Sequence, residues 1–190
     1  MEASDCVGEG VHMRKERANK LQLLVRRNRG RTEYQYYATE LSHLLRAEVL
    51  TNDILDLEQT DRIFSAHRAQ SVRTNKEAGF AIRKRWNYKP IDPWLCACRY
   101  LGKKLQGEAS VLFVGPYEFC GAVKVDADRA LGAAAPLLEF DRDTVGLQSA
   151  TMESGLYLDL FEEDSERLVE LVVWGQWKTL AADSVISESE

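Results

Sequence analysis

Proline and cysteine are scarce in this 190-residue chain, 4 of each, and there are 3 histidines. So few prolines exclude a polyproline or collagen-like chain. The cysteines, Cys6, Cys96, Cys98 and Cys120, are too few for a disulfide-dense scaffold and read as free thiols. Cys96 and Cys98 stand two apart on an expected helix, so their side chains point about 200° apart and do not bridge. Long apolar runs are missing as well. The longest, Ala130–Leu138, includes a glycine and a proline and is too short to span a bilayer. The first thirty residues lack a secretory pattern, because Glu2, Asp5 and Glu9 precede the one apolar cluster, Leu21–Val25. The expectation is a cytoplasmic protein without a membrane partner, with Met13 as an alternative start.

Most short chemical signatures are absent too. There is no G-x-G-x-x-G after a strand, no G-x-x-x-x-G-K, no G-x-S-x-G, no H-E-x-x-H and no C-x-x-C. That removes the common phosphate-cradling loops, the hydrolase elbow and the usual zinc spacings. No lysine follows an acid at two residues' distance, which argues against a nuclease core of the acid-x-Lys type. No cofactor is expected.

What is present is a division of charge. The formal net charge of −5 hides two unequal parts. Residues 1–105 hold 20 bases and 13 acids, and residues 106–190 hold 5 bases and 17 acids. With 45% hydrophobic residues, the chain suits a single globular domain.

The hydrophobic period changes at about the same place. Residues 14–31 carry eight bases and a stripe of Ala18, Leu21, Leu24 and Val25, ending at Gly30 as a C-cap. This predicts a basic amphipathic helix or a flexible basic arm over 1–31. Tyr37, Leu41, Leu44 and Leu45 predict a helix over 34–50, and Leu57, Phe64 and Ala69 another over 56–72. Residues 80–86 fit strand or helix equally. Asp92-Pro93 opens a helix that ends near Gly102. From residue 109 the period is 2. Strands are expected at 111–114, 117–125, 143–148, 155–161 and 168–174, with a helix over 127–135 stopped by Pro136 and a turn at 162–165. The fold class is α+β: N-terminal helices packed on a C-terminal, mainly antiparallel sheet made of a hairpin, a short helix and a three-stranded meander. The domain occupies 32–180, and 181–190 is an acidic frayed tail.

Three surfaces are candidates for function. On the meander, Leu156, Leu158 and Leu160 share one face with Val169, Leu171 and Val173. The other face carries Tyr157, Asp159, Phe161, Glu170 and Trp174, with Glu162, Glu163 and Asp164 in the turn. Aromatic anchors among acids suit a basic protein partner. The leading expectation is therefore a non-enzymatic protein-binding module in the style of an inhibitor or immunity protein. The second surface is Arg83, Lys84, Arg85, Trp86, Tyr88 and Lys89, where bases alternate with rings as on a single-stranded nucleic-acid platform; with the basic arm it gives the alternative expectation, a nucleic-acid-binding accessory protein. The third is a pair of D-x-D segments, Asp126/Asp128 and Asp141/Asp143. They read first as cap and turn residues, and as Mg²⁺ ligands only if the protein is a small carboxylate enzyme. Cys120 with His67 is the one conceivable Cys–His pair. His67 and His43 read as surface or boundary residues. No residue is assigned to catalysis or to a metal.

Overall fold

The computed structural model describes residues 6–88 and 93–186, with side chains for 20–88 and 93–182. Period-two alternation after residue 109 does build most of a sheet. Its strands are β1 (Ala81–Asn87), β2 (Ala109–Phe113), β3 (Val123–Asp126), β4 (Thr144–Ser149), β5 (Gly155–Glu163) and β6 (Glu166–Trp174). They lie in the order β1-β6-β5-β4-β2-β3, and every pair is antiparallel. β4–β5–β6 is the expected meander; β2 and β3 pair antiparallel where a hairpin was expected, but a helical turn, not a tight turn, joins them. The segment that fitted strand or helix equally is β1, an edge strand beside β6. The α+β class holds, with helices α1 (Cys6–Leu45), α2 (Leu57–Lys76), α3 (Pro93–Lys104), α4 (Tyr117–Cys120), α5 (Ala127–Gly132), α6 (Ala134–Asp141) and α7 (Gln176–Ile186). Among the described residues no helix is long and apolar enough to cross a membrane.

The register assigns each side chain to one of two faces. One face presents Leu147, Leu156, Leu158, Leu160, Val169, Leu171 and Val173. It is closed by Tyr37 and Leu41 of α1, Trp94 and Leu101 of α3, Leu137 and Leu138 of α6 and Trp177 of α7, all in a single apolar cluster. The opposite face presents Val111, Phe113, Gln148, Tyr157, Val172 and Trp174. It is covered by α2 together with Phe80.

Several elements differ from expectation for identifiable reasons. Gly30 does not end a helix; α1 runs through it, and a Cβ there would sit 2.1 Å from the Phe119 carbonyl oxygen. The glycine lets α1 touch α4. The apolar stripe of the basic segment is open, with Leu21, Leu24 and Val25 each more than half exposed. The strand expected at 117–125 is a helical turn followed by a short strand. Gly121 at φ +106 joins them, in a region closed to other residues, and a Cβ there would also strike the Leu55 carbonyl. Pro136 does not stop a helix but stands in the first turn of α6, where its missing N–H costs nothing. The expected frayed tail is helical through Ile186, and it is anchored by buried Trp177 and Ala181. The Asp92 cap lies outside the described residues.

Candidate functional site

α2 begins at Asp56, whose carboxylate accepts from the Gln59 amide at 2.7 Å as an N-cap. The stripe that it lays on the sheet runs through Leu57, Thr60, Phe64 and His67, and only part of it is apolar. Directed polar contacts therefore help to hold it. Ala122 N–H donates to Thr60 Oγ1 at 3.0 Å, Arg83 donates to the Asn75 side chain, and Arg26 forms a two-pronged pair with Asp61 at 2.8 and 2.9 Å.

His67 lies at the centre of this contact. It is 5% exposed, so the expected surface or boundary residue is a buried one. Its ring packs on Phe113 and Trp174, with centroids 5.2 and 5.1 Å away. Nδ1 meets Gln148 Oε1 at 3.1 Å, while Gln148 Nε2 donates to the Ser154 carbonyl at 2.8 Å. A carbonyl only accepts, so the amide orientation is set and Oε1 must accept from His67. Nδ1 then carries the proton and Nε2 keeps its lone pair. Burial pushes the imidazole down to about 4, only partly offset by the bond to Gln148, so His67 is neutral at physiological pH.

Beside it opens a cavity of ≈ 360 Å³ between α2 and the sheet. Phe64, Phe113 and Tyr117 form one wall, their centroids 5.2 to 5.4 Å apart. Thr144, Tyr157 and Asp159 form the floor, and Arg68 stands exposed at the mouth. Thr144 Oγ1 donates to Asp159 at 2.8 Å. Among the described residues Asp159 has no ion-pair partner. Burial raises its carboxyl above the ordinary range, and Asp143 and Glu170 add to this against Thr144 and Arg83.

The expected acidic–aromatic face thus divides into two. Trp174 is fully buried, and Tyr157 is 8% and Glu170 3% exposed; the first two lie against α2 and Phe80 and present no surface. Glu170 is neutralised from β1, by Arg83 at 2.5 Å and Arg85 at 2.6 Å. Asp159 and Phe161 are half-buried, and Glu163 and Asp164 are exposed. Glu162, paired with Arg167 across the strands, is exposed but on the opposite face. The tip is tighter than expected. Glu163 pairs with Glu166, leaving a two-residue turn of Asp164 and Ser165 at φ +51 and +67. Two positive values make this a type I′ geometry, built without the glycine that normally eases it.

The basic–aromatic segment also divides. Arg83 and Arg85 face Glu170, whereas Lys84 and Trp86 share the opposite face, the ammonium 5.6 Å from the ring centroid. Tyr88 donates to Glu139 at 2.9 Å and is covered by Arg167, 4.7 Å away. Lys89 lies outside the described residues. Asp126 precedes α5 without a side-chain cap bond, and Asp141 accepts from Gly115 and Thr144 N–H. No group of three metal-ligating side chains occurs among the described residues. Cys120 is buried against Gly30 and raised to about 11, and it lines a different cavity from His67. The sequence therefore showed the acids of the site but not His67, although His67 falls on the α2 stripe three residues after Phe64.

Searches against protein-family models, curated proteins and solved structures each returned no match to this chain.

Proposed function

We propose that this protein is a non-enzymatic binding module that engages a basic protein through the uncovered end of the α2 face of its sheet. The observation that carries the reading is where α2 stops. It covers the rows of Trp174 and Tyr157, and beyond them Phe161 and Leu168 stay half-buried, paired across β5 and β6. Asp159 lies on one side of this apolar pair and Glu163 and Glu166 on the other, with Arg85 beside them, its guanidinium 5.4 Å from the Phe161 ring centroid and 3.7 Å from Glu163; the acids still outnumber it. At ~3.3 Å per strand residue, Asp159 and Glu163 stand about 13 Å apart on the same face. A small apolar centre with an acidic rim is the ordinary anatomy of a protein-binding patch, and the acids would steer a cationic partner onto it.

The test compares two variants of equal net charge, Glu163→Gln/Glu166→Gln at the tip and Glu48→Gln/Glu153→Gln elsewhere on the surface. Binding of an arginine-rich peptide is titrated at two salt concentrations. A loss of about tenfold or more in the tip variant, against less than about twofold in the control, supports the reading. Equal losses would mean that only bulk charge matters, and would refute it.

A further inference from the structure

We infer that the cavity between α2 and the sheet is a pocket for a guanidinium group, filled by an arginine side chain of the basic partner. The inference rests on the reading above and gives it an anchoring residue.

Three features select the ligand. The first is the supply of acceptors. His67 Nε2 holds a lone pair and no proton. It lies against Gly146, and a Cβ there would come within 2.9 Å of it. The bare glycine lets the imidazole pack this close to the sheet, and both residues line the cavity. Asp159 supplies a carboxylate whose one side-chain hydrogen bond among the described residues comes from Thr144. Its other acceptor positions suit a ligand rich in N–H groups.

The second feature is the wall. Phe64, Phe113 and Tyr117 offer aromatic surface to a flat cation. Guanidinium stacks on such rings and carries five N–H donors in a fixed fork, while ammonium is a compact, strongly hydrated point charge. The third feature is the placement of the cations. Arg83 is engaged by Glu170, Asn75 and Tyr157. Arg68 is at the exposed mouth rather than the floor, where it can meet a main-chain carbonyl of an arriving peptide. An anionic ligand would face Asp159 across the same floor. Burial raises the Asp159 carboxyl, a disadvantage that a bound cation would relieve.

The test uses the full chain with labelled histidine, followed by imidazole NMR. The probes are Nα-acetyl-arginine amide and Nα-acetyl-lysine amide. The arginine probe should move the His67 signals saturably, with Kd on the order of millimolar, and the lysine probe should bind about tenfold more weakly. Asp159→Asn should abolish the arginine response while melting no lower than wild type, and Gly146→Ala should block it sterically. The absence of any His67 response to arginine, or an unchanged response in Asp159→Asn, would overturn the inference. The tip variant Glu163→Gln/Glu166→Gln separates the two proposals. If the arginine probe binds but the peptide ignores the tip, the pocket stands and the partner reading falls. If the peptide depends on the tip but arginine never reaches His67, the pocket falls alone.

Discussion

The two faces of this one sheet are closed in opposite ways. The face packed by α1, α3, α6 and α7 is closed mainly by apolar packing, and its leucines and valines are almost wholly excluded from water. The α2 face combines smaller aromatic and apolar clusters with single directed contacts, Thr60 to the Ala122 amide, His67 to Gln148 and Asn75 to Arg83. Apolar burial is non-directional and contributes about 25 cal/mol per Å², whereas one net hydrogen bond contributes only about 1 kcal/mol. The first face therefore carries most of the stability. The second holds groups that an optimised core would not keep, namely a neutral buried histidine and a half-buried carboxylate with no ion-pair partner among the described residues. These two groups are the ones on which the proposed pocket rests.

The sharpest way to break the comparison is at the apolar face. Leu158→Ala should lower unfolding free energy by about 2–5 kcal/mol in urea denaturation. The α2 face should respond to pH instead. The His67 imidazole sits at about 4 in the fold and near 6.5 when unfolded. Above pH 6.5 both states are neutral and stability is full. As pH falls from 6.5 towards 4, the unfolded chain takes up a proton that the fold excludes. Up to about 3 kcal/mol is then lost, and His67→Gln should flatten that slope.

Smaller effects follow on the same face. Glu170→Gln leaves Arg83 and Arg85 without their shared anion and should cost about 1–3 kcal/mol, because both arginines can partly rehydrate. Ser165→Gly relieves one of the two left-handed positions of the tip and should raise stability by about 1 kcal/mol. Asp159→Asn should give a slight gain in Tm at neutral pH. Its carboxyl is raised in the fold, so ionisation there works against folding, and asparagine still accepts from Thr144.

Much of this comparison was visible in the bare sequence, though unevenly. Period-two alternation placed β4, β5 and β6 and separated the leucine/valine face from the acid-bearing one, since a strand has two sides and the core takes the greasier. The same rule misled at Tyr117–Val125, where alternation is broken by Gly121 and the first four residues coil under α1. Tertiary contact decided that segment, and alternation over so few residues could not. Which helix covers the acid-bearing face was hidden for another reason. The α2 stripe mixes Leu57 and Phe64 with Thr60 and His67, so its hydrophobic signal is weak, and a docking made by specific hydrogen bonds leaves no periodicity to read. That same property concealed His67 and the cavity, and it made Tyr157 and Trp174 look like surface anchors when they are covered.

The most direct test of the central claim, that the α2 face carries the binding function, is an amide chemical-shift map of the labelled chain with an arginine-rich peptide. The account predicts changes confined to the Thr144–Tyr157–Asp159 floor, the patch from Phe161 to the Glu163–Glu166 tip and the His67 segment of α2. Changes concentrated instead on α1 or α3, with those residues unmoved, would contradict it.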